Sequence, residues 1–322
     1  MVCEKRMVKF GLDLTIWPWE YETFEEIVNV ACLAEKMRLD SVWMSDHLMY
    51  TTEDKGSLEV FAALAAVTAR TKNITVGTKV VCVPFRHPGL LAKTGATLDI
   101  ISKGRFILGV GAGWHQREFE AFGFPFDKRA SRMYEAVEIV KKLWTEPVVS
   151  YDGEFYQIDK ATCLPKPLQK PHPPVWIGSK GPRMLKITAE LGDGWVIPNP
   201  SVEEYAQKWR TINEHAEKMG RSPEQIEAGY YAYASISSES EDAWSYAEKL
   251  ILPERRRVLG PQLSLEDIGK ICLVGSPEEW ISRIEEYIHV GAEHIIVKII
   301  PLNREGLKLY AEKVVPYFRN QE

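Results

Sequence analysis

The sequence predicts an α/β chain folded as a (β/α)8 barrel, or TIM barrel, with insertions after strands 4 and 7. Three observations carry this. Eight short apolar or β-branched runs recur along the 322 residues, most of them too short for an ordinary buried helix. Most are followed by a stretch with apolar residues at helical spacing, and that alternation implies right-handed parallel crossovers throughout. The hydrophobic content of 45% suffices for one large core, so residues 1–322 are read as a single domain. An open doubly wound sheet is the alternative. The closed barrel matches this length better.

Strand 1 is Val8–Leu14. Trp17 and Trp19 follow it, either packing over the rim or forming one wall of a flat-ligand pocket. Thr23 and Glu26 form a capping box, after which Phe24, Ile27, Val28, Ala31 and Ala34 share a helical face. Strand 2 is Ser41–Met44, and a helix from Ser57 to Arg70 follows. Strand 3 reads as continuous from Ile74 to Val81. Pro88 starts a helix that turns Leu91, Thr94, Leu98 and Ile101 inward. Strand 4 is Phe106–Val110, and a helix over Arg129–Trp144 buries Met133, Ala136, Val137, Val140 and Leu143.

The rhythm then breaks over residues 147–174. Tyr151–Tyr156 predicts a hairpin with an Asp-Gly turn, and a proline-rich run wraps the surface in extended form. A domain linker is the alternative there, but the βα rhythm resumes unchanged. Strand 5 is Val175–Gly178, with a helix over Pro182–Leu191, and strand 6 is Gly194–Ile197. Ser201 and Ser238 are read as caps of the next two helices, on either side of strand 7 at Tyr230–Ile236. Leu252–Lys270 reads as irregular, with three consecutive arginines. Ser276 caps a helix facing Trp280, Ile281, Ile284, Tyr287 and Ile288 inward. Strand 8 is His294–Ile300, and the last helix buries Leu307, Tyr310, Ala311 and Val314.

Composition narrows the function. The net charge of −5 comes with acids and bases interspersed, which argues against a nucleic-acid partner. No apolar run is long enough to span a bilayer, and the N-terminus lacks a signal-peptide core. Five scattered cysteines without a C-x-x-C pair fit free thiols in the cytoplasm. No histidine pair has metal-ligand spacing, and no G-x-S-x-G elbow is present. A bound organic cofactor acting on a small-molecule substrate would supply the missing reactivity.

Candidate site residues cluster at strand ends, where parallel α/β folds place their chemistry. Ser45-Asp46-His47 closes strand 2. His47 could donate to an anionic ring or move a proton near neutral pH; Asp46 could fix its tautomer or satisfy backbone donors. Gly109, Gly111 and Gly113 follow strand 4 and permit a sharp turn or the close approach of a flat ligand, beside the Trp114 face. Gly178-Ser179-Lys180-Gly181 precedes the helix at Pro182 and suits a phosphate, with an ordinary turn as the alternative.

Ser45–His47, Gly104–Trp114, Pro173–Gly178 and Leu191–Trp195 stand in the order and spacing of the bacterial-luciferase-like family. The chain resembles that family along essentially its whole length, and most resembles its coenzyme F420-dependent oxidoreductases. These include F420-dependent glucose-6-phosphate dehydrogenases, secondary alcohol dehydrogenases and methylenetetrahydromethanopterin reductases. The resemblance implies hydride transfer between F420 and a small organic substrate. The family's FMN-dependent monooxygenases, which use reduced flavin and oxygen, are the alternative. It further implies a deep cofactor cleft with Asp46 and His47 beside the deazaflavin, His47 at the reacting centre, and Gly111 and Trp114 along the cofactor. A cis peptide at Lys79-Val80 would back the ring, and Gly178–Gly181 would hold the phosphate. The family commonly forms homodimers. One departure stands out: Trp114 occupies the position of an acidic residue in the sugar-phosphate and alcohol dehydrogenases, and the nearest acid is Glu118.

Overall fold

A computed structural model describes residues 7–15, 24–49 and 56–319. Trp17, Trp19, Cys3 and the Thr23 half of the first capping box lie outside these residues. Eight parallel strands form a closed ring: β1 (Lys9–Asp13), β2 (Ser41–Met44), β3 (Thr75–Thr78), β4 (Phe106–Gly111), β5 (Val175–Gly178), β6 (Gly194–Pro198), β7 (Glu227–Ile236) and β8 (His294–Ile299). Each strand pairs with its neighbours in sequence, and β8 closes the ring on β1. The expected barrel is therefore present. Its helices are α1 (Phe24–Lys36), α2 (Val60–Arg70), α3 (Pro88–Ser102), α4 (Gln116–Ala121), α5 (Arg129–Thr145), α6 (Pro182–Leu191), α7 (Val202–Lys218), α8 (Ser240–Tyr246), α9 (Leu252–Leu259), α10 (Leu265–Ile271), α11 (Pro277–His289), α12 (Arg304–Leu309) and α13 (Val315–Arg319). Among the described residues, no helix is long and apolar enough to cross a membrane.

Two indoles fill the barrel. Trp43 and Trp176 are fully buried, with ring centroids 5.0 Å apart. Glycines on other strands make the room: a Cβ on Gly77 would lie 2.3 Å from Trp43, and one on Gly229 2.5 Å from Trp176. Beneath them the Trp43 indole donates to Ser41 Oγ at 2.7 Å. Ser41 Oγ meets His294 Nε2 at 2.7 Å, and His294 Nδ1 lies 3.2 Å from Glu227, which also pairs with Lys9 at 3.0 Å. The amino-terminal end of the barrel is thus packed and bonded shut, which leaves the opposite rim for chemistry.

Several sequence expectations need correction. Strand 3 is not continuous: β3 ends at Thr78, the Lys79-Val80 peptide is cis, and Val81–Cys82 resumes pairing with Val110 and Gly111. Leu252–Lys270 is not irregular but holds α9 and most of α10. The apolar period fails there because Glu254 and Arg255 are among the buried residues of α9. Ser238 caps nothing; the residue before α8 is Glu239, without a side-chain cap bond. Phe24 and Ile101 are exposed rather than inward.

The insertion after β4 follows its reading more closely. Val149–Asp152 and Gln157–Ala161 form the expected hairpin, held to α5 by Glu135, which accepts from the Glu154, Phe155 and Tyr156 N–H groups. The buried Asp99 of α3 anchors the proline-rich run by accepting from the Leu168 and Gln169 N–H groups at 2.6 and 3.1 Å.

Candidate active site

A cavity of about 740 Å³ opens at the carboxyl ends of the strands. It collects Ser45, Asp46, His47, Lys79, Val80, Gly111, Gly113, Trp114 and Gly178–Gly181 of the residues the sequence singled out, but not Gly109. It is large enough for a sizeable part of an organic cofactor. It also brings in residues the sequence did not nominate, among them Asn199, Tyr231, Tyr233 and Arg255.

Asp46 and His47 are adjacent in sequence but differently employed. The buried Asp46 carboxylate accepts a bidentate pair from Arg86 at 2.5 and 2.8 Å, and the Cys82 N–H at 3.0 Å. Arg86 also reaches Glu59, the N-cap of α2, at 3.0 Å. Asp46 therefore ties the strand-2 exit to the segment after the cis peptide. Of the two roles weighed for Asp46, satisfying backbone donors is the one observed. The partner that orients His47 is Glu118 of α4, whose Oε2 lies 3.2 Å from His47 Nδ1.

Glu118 is 2% exposed. Its Oε1 accepts the Leu48 and Met49 N–H groups at 2.5 and 3.2 Å. Burial pushes its carboxyl upward, but the His47 hydrogen bond, the His47 charge and the two N–H donors outweigh this, leaving it below the usual carboxylate range. An ionised Glu118 can only accept, so the hydrogen bond requires a proton on His47 Nδ1, and whenever the imidazole gives up its other proton Nε2 is the nitrogen that can accept one. The half-exposed Trp114 stands edge-on to His47, ring centroids 6.1 Å apart. Glu118, noted in the sequence as the acid nearest Trp114, is therefore the carboxylate that faces His47.

The glycines after strand 4 serve the bulge first. A Cβ on Gly109 would meet the Thr78 carbonyl oxygen at 1.9 Å, and one on Gly111 the Val80 side chain at 2.8 Å. Gly178 faces the same Val80 methyls, 3.1 Å from its would-be Cβ. The alternating glycines therefore seat the cis Lys79-Val80 segment, which in turn walls the cavity. Ser45 Oγ donates to the Lys79 carbonyl at 2.9 Å, fixing the bulge from the strand-2 side.

The Lys79 side chain enters a buried cluster. Its Nζ lies 3.2 Å from Asp13 and 3.5 Å from the centroid of the Tyr231 ring, and the Tyr231 hydroxyl donates to Asp13 at 2.8 Å. Burial pulls the Lys79 ammonium below its usual range despite Asp13. Burial pushes Asp13 up, yet Lys79, Lys298 and the Thr15 hydrogen bonds leave its carboxyl below the usual range.

At Gly178–Gly181 the geometry narrows the earlier expectation. The Ser179 N–H is taken by the Val196 carbonyl at 3.2 Å, and its hydroxyl meets Thr188 Oγ1 at 2.9 Å. Lys180 pairs with Glu204 at 3.1 Å. What faces the cavity is the start of α6: Gly181 provides no side-chain cap, Pro182 has no N–H, and Arg183 and Met184 line the wall. A Cβ on Gly181 meets nothing within 4 Å. An open, uncapped helix N-terminus beside Arg183 fits a cofactor phosphate.

The profile of the luciferase-like monooxygenase family matches residues 12–294. The F420-dependent glucose-6-phosphate dehydrogenase of Amycolatopsis mediterranei (strain U-32) is 30% identical, over 91% of this chain and 94% of its own. The 5,10-methylenetetrahydromethanopterin reductase of Archaeoglobus fulgidus is 27% identical, over 96% of this chain and 99% of its own. Among solved structures, an F420-dependent secondary alcohol dehydrogenase in complex with an F420-acetone adduct superposes with a TM-score of 0.85. It is 22% identical, covering 95% of this chain and 98% of its own.

Proposed function

This chain belongs to the luciferase-like monooxygenase family, and from that premise we propose that it is an oxidoreductase moving hydride between coenzyme F420 and a small organic substrate. The observation that carries the reading is the buried Glu118 carboxylate set against His47 on the cavity wall. It supports an acid–base role for this pair in a chain whose relatives' acidic position is held by Trp114. The relatives named above point to F420 as the cofactor.

When bound, F420 supplies a deazaflavin that accepts or gives hydride. The chain's own residues do the rest. The bulge at Lys79-Val80 gives a flat ring a firm backing, held by Ser45 and by the glycines of β4 and β5. The N-terminus of α6, with Arg183, holds the phosphate. Glu118 keeps the proton on His47 Nδ1, so Nε2 can take a hydroxyl proton as a substrate alcohol is oxidised and return it in the reverse direction. Asp46 positions the loop that carries His47 through Arg86 and the Cys82 N–H. Trp114 shields one side of the reacting centre.

The protein is further read as a cytoplasmic homodimer; the free thiols Cys32, Cys82, Cys163 and Cys272 support the compartment, and sedimentation tests the dimer. The cofactor is tested by fluorescence titration with F420 and with FMN. Tighter binding of F420 is expected. Tighter binding of FMN would move the chain to the flavin-dependent monooxygenases.

A further inference from the structure

One side of the cavity is unlike the rest. It is built from the end of β6, from β7 and from α9, in the insertion after β7. Arg255 of α9 lines this wall and is 9% exposed, yet its Nε has no hydrogen-bond partner. Among the described residues no carboxylate lies within ion-pairing distance of it. The adjacent Glu254 pairs with Arg257 at 3.3 Å. Its neighbour is the neutral Tyr233 side chain, whose ring centroid lies 5.0 Å from Cζ and which also hydrogen-bonds the guanidinium.

Asn199, just past β6, lines the same wall and is 5% exposed. Its Oδ1 accepts the Tyr233 N–H at 2.8 Å, which fixes the amide orientation and leaves Nδ2 as the amide's donor. Nδ2 also lacks a partner. Its backbone is left-handed, at φ 48°, a conformation asparagine tolerates better than most residues. Two buried N–H groups thus flank Tyr233 without an acceptor, Arg255 Nε and Asn199 Nδ2, and among the described residues the charge of the guanidinium has no anion opposite it. Water satisfies a hydrogen bond, but it does not neutralise a guanidinium, and buried charges in proteins are generally paired. Arginine's planar fork suits a carboxylate or a phosphoryl group.

We propose that Arg255 and Asn199 form an oxyanion-binding subsite for the substrate, so that the substrate carries a carboxylate or phosphoryl group away from its reacting carbon. The subsite rests on the reading of this cavity as the active site. It lies on a different wall from the α6 N-terminus that would hold the cofactor phosphate. Val258 and Leu259, one turn along α9, flank it with apolar surface.

The test is calorimetric titration with inorganic phosphate and, separately, acetate, at constant ionic strength, on the protein alone and on the protein saturated with F420. Saturable binding of at least one anion is expected in both states. Arg255→Met should weaken it tenfold or more, and Arg255→Lys by less, since it keeps charge without the fork. Asn199→Asp keeps an acceptor for the Tyr233 N–H while replacing the donor with a repelling oxygen, and it should also weaken binding tenfold. This second variant decides the matter if Arg255→Met does not fold, as read by its thermal transition. No saturable binding in the wild type, or equal binding in folded Arg255→Met, overturns the subsite. Loss of the anion site on loading F420, with F420 affinity lowered in Arg255→Met, overturns its assignment to substrate and gives Arg255 to the cofactor. Failure of F420 to bind would sink the cofactor reading, while the titration without F420 still reports on Arg255.

Discussion

Glu118 and His47 lie 71 residues apart in sequence and 3.2 Å apart in space. In the proposed mechanism each has a different job: the carboxylate orients and the imidazole exchanges the proton. General acid–base assistance is typically worth about 10²–10⁴ in rate. His47→Ala is therefore expected to lower turnover at least a hundredfold while F420 still binds, as measured by stopped-flow reduction and by fluorescence titration. Near-wild-type turnover would make the histidine structural. Glu118→Gln removes the charge but keeps acceptor Oε1 for the Leu48 and Met49 N–H groups. It should also slow turnover, and the double variant should be little worse than His47→Ala alone, because the two act as one unit. Additive losses would separate them. At this scale His47 was legible because it directly follows a strand end. Glu118 was visible as the acid nearest Trp114, but its pairing with His47 was not, because nothing local ties α4 to the strand-2 exit. Arg255 was hidden for another reason: an inward charge breaks the apolar period by which an inward face is recognised.

At the scale of elements, the most specific sequence feature, the alternating glycines of β4, turned out to serve a neighbouring element before any ligand. That separates two glycine substitutions that look alike in sequence. Gly178→Val would push into the Val80 methyls, 3.1 Å from the new Cβ, and should disturb the bulge as well as the ligand. A Cβ at Gly181 meets no protein atom within 4 Å and the backbone is ordinary extended at φ −82°, so Gly181→Val should leave the fold unchanged. If the α6 N-terminus holds the phosphate, Gly181→Val should weaken F420 binding tenfold or more, since a charge-assisted hydrogen bond is worth about 1.5–3 kcal/mol. Unchanged affinity with an unchanged urea midpoint would place the phosphate elsewhere. The opposite rim makes a stability prediction. Burial pushes Glu227 up, but His294 and Lys9 hold its carboxyl at about 2, well below its ordinary 4.5. A depressed carboxyl stabilises the fold above its unfolded pKa and loses that contribution as pH falls through the folded one. The loss should therefore run from about pH 4.5 down to about 2, and be on the order of 2–3 kcal/mol. Glu227→Gln should be less stable at pH 6 and lose less stability than wild type on acidification over that window, as read by urea unfolding.

For the whole molecule, the ring of strands was legible because strands buried on both faces read as short apolar runs. The position of the break in strand 3 was visible only through resemblance, since the one bulge signal in Ile74–Val81, Gly77, lies before the break and makes room for Trp43 instead. Helices α9 and α10 were missed because Glu254 and Arg255 interrupt the apolar period of α9 and α10 turns only Ile268 fully inward. These features meet in one place: the cavity draws its walls from the ends of β2 through β7 and from α9. A ligand that fills it therefore holds together the strand ends that the packed opposite rim leaves open. Such a ligand binds the folded state alone, and at a hundredfold excess over its dissociation constant it stabilises by about 2.7 kcal/mol. Unfolding of domains of 150–250 residues shifts by roughly 2–4 °C per kcal/mol. For a chain of 322 residues, saturating F420 should therefore raise the midpoint by several degrees in a thermal-shift assay. FMN at the same concentration should raise it less, and Gly181→Val should abolish most of the F420 shift without changing the ligand-free midpoint. An FMN shift equal to or larger than that of F420 would instead favour the oxygen-using chemistry of the family.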